Sequence, residues 1–177
     1  HWAHVWFSQG PDPVPTTGEW NSRDNPAAAD VPITATINQS FPKGAALAKW
    51  LVNVGASTTP GQLTVLGARD NIQAVNPANS REWISVENPN YPAASKTVEY
   101  MSFNTPIGAT EEMACGRAVF TGLHVSTAVE DETVQPSGFP SSCPQTELSA
   151  QEKAVAFMLF DLSACIQSDD KPPIVPK

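Results

Sequence analysis

Apolar residues recur along this chain in three rhythms: helical, alternating and continuous. The helical rhythm is strongest near the C-terminal end. Ser149 followed three residues later by Glu152 is a capping box, in which the hydroxyl takes one orphan N–H of the first turn and the carboxylate reaches back for another. Ala154, Val155, Ala156, Phe157, Met158, Leu159, Phe160 and Leu162 then leave almost no polar face. The pattern predicts a helix over 149–163, buried on all sides. At roughly 15 residues it is too short to cross a bilayer, which needs about 20. A second helix is predicted over 41–54, with Ser40 as N-cap, Pro42 in the first turn and Gly55 as the stop. Leu47, Trp50, Leu51 and Val54 form its apolar face and leave Lys43 and Lys49 on the other.

Alternation predicts a strand at 96–103 before Thr105-Pro106; a short strand is expected at 62–66 after the Pro60-Gly61 turn, and at most a short one at Ile33–Ile37. The continuous rhythm marks 116–125, which reads as a central strand, and the aromatic opening His1-Trp2-Ala3-His4-Val5-Trp6-Phe7, which reads as a strand or the end of one. Residues 83–86 read as a short strand or a packed loop. Long loops are expected over 8–40, which carries Pro11, Pro13, Pro15, Pro26 and Pro32, and over 126–147, which carries Glu130, Asp131 and Glu132. The expected fold is α/β: a mostly parallel sheet of about four strands with flanking helices and long Pro-rich loops. It is expected to form one domain over 1–166, followed by an extended tail or linker over 167–177.

Composition narrows the function. A net charge of −8 argues against nucleic-acid binding, which needs clustered Lys and Arg, and against adsorption to anionic membranes. No apolar run is long enough for a transmembrane helix, and no signal-type segment opens the chain, so an exported protein would already have lost its signal. The Pro-rich, Lys-poor, Thr/Ser-rich composition favours export. Cys115, Cys143 and Cys165 show no Cys-x-x-Cys spacing, which removes zinc ribbons and thioredoxin-like motifs. One disulfide plus a free thiol is expected, with the pairing open; three reduced cysteines in a cytosolic protein is the competing reading. Asn38-Gln39-Ser40 fits a glycosylation sequon.

The stretch Gly116-Arg117-Ala118-Val119-Phe120-Thr121-Gly122-Leu123-His124 resembles a late strand of the trehalose-utilisation (ThuA-like) group, within the wider fold of class I glutamine amidotransferases. Residues 40–57, 115–120 and 148–166 are similar to large exported bacterial proteins containing such a domain. His1–Phe7 matches their Ser-His-aromatic-His segment. The likeness touches about half of the chain. It implies that the early strands of the fold are missing, so that an N-terminal segment or a partner chain would complete the domain. No Gly-x-Cys-x-Gly elbow is present, so glutaminase activity is not implied. What the resemblance implies is a degenerate secreted or periplasmic domain that binds a small ligand or carbohydrate or serves as a structural module.

Three histidines carry the candidate chemistry: His1, His4 and His124. In the expected parallel sheet, His1 and His124 lie at carboxyl ends of strands, where α/β sheets bind ligands. Neutral imidazoles there would hold a divalent metal such as copper or zinc. An N-terminal His1, offering its amine and ring, would with His124 make a three-nitrogen copper site for an oxidative enzyme. The blander alternative is that these histidines pack among aromatics or bond backbone carbonyls. Trp2, Trp6 and Trp20 are candidate sugar-stacking surfaces, against the alternative of core filling. Gly-x-Ser-x-Gly is absent, so no serine-hydrolase elbow exists. Glu111-Glu112 and the 130–132 cluster read as solvated acidic faces. A structural assembly subunit is a third reading.

Overall fold

The computed structural model describes residues 3–21, 31–87, 96–123, 125, 147–163 and 167–172. Its centre is a five-stranded sheet built from β2 (Ile33–Ile37), β3 (Gln62–Val65), β5 (Arg81–Glu87), β6 (Lys96–Thr105) and β7 (Gly116–Thr121), in the order β3-β2-β5-β6-β7. Every pairing is antiparallel. A two-stranded antiparallel ribbon pairs β1 (Gly18–Trp20) with β4 (Ile72–Val75). The expected mostly parallel α/β sheet is therefore not formed. Parallel strands need a long crossover between neighbours, whereas β5, β6 and β7 follow one another as a meander.

The sheet is covered on both faces. On one face, α2 (Pro42–Asn53) and α3 (Ala150–Ser163) pack on Ile33, Ala35, Ile37, Leu63, Val65 and Trp83. On the other, Phe7, Trp20, Ile72 and Val75 pack on Met101, Phe103 and Phe120. This sandwiching explains the misread strands. β2 alternates cleanly, with Ile33, Ala35 and Ile37 buried and Thr34 and Thr36 exposed. β6, read from the sequence as alternating, is instead buried on both sides from Thr97 to Phe103, because a layer covers each face. β7, expected to be central, lies at the edge of the described sheet; its run is continuous because Val119 meets the helices while Ala118 and Phe120 meet the ribbon.

The opening segment forms a helix, α1 (Ala3–Ser8), rather than a strand. Its i, i+3 spacing turns His4 and Phe7 inward and Trp6 outward. Phe7 stacks on Trp20 at 5.4 Å and meets Phe120 edge-on at 5.5 Å. Tertiary aromatic packing here overrides strand propensity.

The capping box of α3 forms as expected. The Ser149 backbone N–H donates to Glu152 Oε2 at 2.7 Å, and the Glu152 N–H donates to Ser149 Oγ at 3.2 Å. The all-round burial of that helix does not. Ala154 and Met158 are buried, while Leu159 and Phe160 are 57% and 65% exposed. The helix lies on one sheet face, so its apolar stripe and its apolar outer side have different fates. The N-cap of α2 is Phe41, without a side-chain cap; Ser40 instead donates its hydroxyl to Asn38 Oδ1 at 2.7 Å. Gly55 ends the helix at φ +69°, the left-handed conformation in which the Ala56 N–H reaches back to the Leu51 carbonyl at 2.8 Å. Among the described residues no helix is long and apolar enough to cross a membrane.

Candidate functional site

Four charged side chains meet between α2, α3, β7 and residues 167–172, and two of them, Lys43 and Asp169, are expected elsewhere from the sequence. Lys43 lies one turn before Leu47, on the buried stripe of α2 and not on its outer face. Asp161 follows Met158 on the inner side of α3. Arg117 shares a sheet face with Val119. Lys43 Nζ sits 2.7 Å from Asp161 Oδ1 and 3.5 Å from Asp169 Oδ1. Arg117 Nη2 sits 2.8 Å from Asp169 Oδ1, and Arg117 Nε is 3.2 Å from Asp161 Oδ2, out of line for a hydrogen bond. Lys43, Arg117 and Asp161 are buried and Asp169 is nearly so, and two cations balance two anions. Buried charges need such pairing, because desolvation would otherwise prevent their ionisation. Tyr100 is buried beside this group, and its hydroxyl has no hydrogen-bond partner among the described residues. Burial first, and the Asp161 charge second, push the Tyr100 phenol up from its usual range.

This charge group fixes residues 167–172, part of the stretch read from the sequence as an extended tail or linker. Lys43 Nζ donates to the Gln167 carbonyl at 3.3 Å, and the Lys43 backbone N–H donates to the Asp169 carbonyl at 3.4 Å. Asp169 of this segment thereby lines one side of a cleft of about 200 Å³. The opposite wall is the turn Pro77–Arg81, held by Asn76 Nδ2 on the Thr16 carbonyl at 2.9 Å and by Ser80 Oγ on the Thr17 carbonyl. Ser102, Phe103 and Asn104 of β6 form the floor, and the turn at Gly108 and Ala109 closes the end.

The floor is chemically unsaturated. Ser102 Oγ accepts from Trp83 Nε1 at 2.8 Å and from Arg117 Nη2 at 2.7 Å. Both lone pairs are used, so the hydroxyl hydrogen is left to donate. Asn104 Oδ1 is buried and has no hydrogen-bond partner among the described residues. Arg81 stands at the mouth with its guanidinium 5.0 Å above the Phe41 ring, and Nη2 lies 3.1 Å and 3.3 Å from the two Asp170 oxygens.

A second, smaller pocket of about 90 Å³ lies beyond the other end of the sheet, lined by Ala3, Arg69, Asn71, Phe120, Thr121, Gly122 and Leu123. Behind Gly122 sits Glu99, fully buried. Its carboxyl takes the Arg69 backbone N–H at 3.1 Å and 3.3 Å, and the Thr97 hydroxyl at 3.3 Å. Burial pushes the Glu99 carboxyl up to about 8, against the opposing effects of those hydrogen bonds and of the Arg69 charge; Asp70 adds to the rise.

The expected site residues scatter. His4 is buried in α1. His1, Trp2 and His124 lie outside the described residues, although Ala3 and Leu123 both line the smaller pocket. Trp20 is half-buried in the aromatic group against β7, whereas Trp6 is 79% exposed and available for stacking. Among the described residues no group of three or more His, Cys, Asp or Glu side chains is placed to hold a metal. Cys115 is free and exposed; Cys143 and Cys165 lie outside the described residues. The sequon residue Asn38 donates its amide to the Glu82 carbonyl at 3.1 Å. Comparison with models of known protein families, with characterised proteins and with solved structures finds no match to this chain.

The missed residues did carry a signal. Lys43 and Asp161 are charges on apolar helical stripes, and Glu99 is a charge inside a strand rich in Val, Tyr, Met and Phe. A charge in such a position must be paired or neutralised.

Proposed function

We propose that this chain is a ligand-binding domain of an exported protein, and that the cleft between the Pro77–Arg81 turn, β6 and residues 167–172 takes a small polyhydroxylated ligand of the carbohydrate class. One observation carries the reading: Ser102 and Asn104 line the cleft floor, and the buried Asn104 Oδ1 has no hydrogen-bond partner among the described residues. A ligand hydroxyl both accepts and donates, so one such group satisfies both. Buried polar atoms without partners are uncommon and call for an explanation, and a bound hydroxyl supplies one. Export rests on the composition.

The test is titration of the labelled protein with a panel of monosaccharides and disaccharides, followed by amide chemical shifts. Shifts confined to residues 77–81, 102–109 and 168–170, and lost in Asn104→Ala, support the reading. A panel that leaves those amides unmoved, or that binds Asn104→Ala equally well, refutes it.

A second reading, metal binding by His1 and His124, is favoured by the meeting of Ala3 and Leu123 at one pocket. Equimolar Cu²⁺ titration with electron paramagnetic resonance tests it. A tight type-2 signal abolished by His124→Ala supports it; no such signal, or one that survives the substitution, ends it.

A further inference from the structure

Given a carbohydrate in the cleft, as proposed above, the charges at its mouth select which kind. Asp169 lines the cleft, and Asp170 reaches it through its ion pair with the lining residue Arg81; their situations differ. Asp169 is committed to the buried charge group, with Arg117 Nη2 at 2.8 Å and 3.0 Å. Asp170 makes its ion pair with Arg81 in the open, where the two side chains are 66% and 38% exposed. Exposed pairs of this kind contribute about 0–1 kcal/mol, because water and salt compete for both partners. The Asp170 carboxylate is therefore exchangeable.

Arg81 does not depend on Asp170 for its position. Its guanidinium lies over the Phe41 ring, and Phe41 itself is buried against Trp83 at 4.9 Å. A planar fork held by a buried ring is prepared to receive a carboxylate through two N–H donors. Of the other cations of this region, Lys43 and Arg117 are balanced by Asp161 and Asp169, and Lys171, which does not line the cleft, pairs with Glu111 at 3.6 Å. Arg81 is thus the cation lining the cleft whose counter-charge is displaceable.

The cleft accordingly presents, in one concavity, a carboxylate-binding fork, a hydroxyl donor and an amide acceptor. We propose that it is selective for an acidic sugar of the uronate type. The ligand carboxylate takes the place of Asp170 on Arg81, and the ring hydroxyls engage Ser102 and Asn104. Asp170 then acts as an internal competitor that occupies the fork in the absence of ligand.

The experiment compares glucuronate and galacturonate with glucose and galactose, each as its methyl glycoside, by amide chemical shifts at constant ionic strength. A short uronate oligomer run beside the monosaccharides distinguishes a chain-end residue from a free sugar. Uronates should bind about tenfold more tightly than their neutral counterparts, the scale of a charge-assisted bidentate pair in partly exposed surroundings. Asp170→Asn should strengthen uronate binding several-fold and leave neutral sugars unchanged. Arg81→Gln should abolish the preference. Asp170 is exposed, so its variant keeps the test valid should Arg81→Gln disturb β5. Uronates that bind no better than neutral sugars, or an Asp170→Asn protein with unaltered uronate affinity, overturn the acidic specificity and leave the cleft reading standing. If no sugar of either class moves the cleft amides, the cleft reading itself has failed, and the acidic specificity with it.

Discussion

Glu99 gives this protein a pH dependence of unusual sign, and replacing it with glutamine tests the cause. In the unfolded chain a glutamate releases its proton near the ordinary value of 4.5, whereas in the fold burial delays that release to about 8. Between these values the folded state holds one more proton than the unfolded state. Raising the pH therefore pulls the equilibrium toward unfolding. The slope is about 1.4 kcal/mol per pH unit, and the whole window is worth on the order of 5 kcal/mol, a large part of the stability of a domain this size. The contribution is fully present below about 4.5 and is lost as pH rises through about 8. A glutamine side chain in the Glu99→Gln variant would keep an oxygen for the Arg69 N–H and the Thr97 hydroxyl but would carry no proton to lose. The stability difference between Glu99→Gln and the wild type should therefore grow with pH across that window. It is measured by urea unfolding followed by tryptophan fluorescence at intervals from about pH 4 to 9 at constant ionic strength, a range that brackets both titrations. The other titrating groups are shared by the two proteins and cancel in the difference. Stability curves that run parallel across the window would refute the argument, because they would mean that Glu99 is ionised in the fold or is reached by water.

Asp161→Asn removes the charge that faces Lys43 and Arg117 inside the protein and should cost about 3–5 kcal/mol in urea unfolding. The pair Lys43→Met with Asp161→Leu leaves Arg117 and Asp169 balanced and should lose less than that single change, since apolar residues of similar size replace buried ions at little cost. In Gly122→Ala the new Cβ would stand 2.7 Å from Glu99 Oε2 and 3.3 Å from Arg69 Cβ. Overpacking of this kind should cost about 1–3 kcal/mol, read as a lower denaturation midpoint with an unchanged slope. Ser149→Ala removes one half of the α3 capping box and should cost about 1 kcal/mol, with faster amide exchange at Glu152 as the local signature.

What the sequence made legible follows from how local each cause is. The α3 capping box spans four residues and reads directly; the α2 stripe reads at Leu47 and Leu51 but not at Lys43, whose partners are distant in sequence. The alternation of Ile33, Ala35 and Ile37 needs only one covered face, yet among the surrounding prolines it reads as at most a short strand. Strand direction and sheet order are not local. β7 is apolar on both sides because two different layers cover it, and that pattern does not distinguish a central strand from an edge strand. The helix at Ala3–Ser8 was hidden because Trp20, Phe103 and Phe120, which hold Phe7, are distant in sequence. The cleft was least legible of all. Lys43 and Asp161 are 118 residues apart, and Arg117 and Asp169 are 52 apart. Gln151 was equally silent: its amide bonds the N–H and the carbonyl of Leu66 at 2.9 Å and 3.1 Å, which ties α3 to the end of β3.

The same distances decide how the cleft is held. Residues 167–172 carry no large apolar side chain, so hydrophobic burial contributes little to docking them. The segment is fixed by Lys43 through two carbonyls and by Arg117 through the Asp169 carboxylate. Such contacts are directional, and they place the Asp169 wall and the neighbouring Asp170 relative to Arg81. The buried charge group is weak evidence for stability, because apolar residues could replace it at little cost. Its role is positional: it gives a short polar segment one defined place against β6, and the cleft owes its shape to that placement. The Lys43→Met and Asp161→Leu pair separates the two contributions. Stability should be largely retained, while ligand-induced shifts at residues 168–170 should weaken. Undiminished binding in that variant would show that the wall is held by something other than its charges.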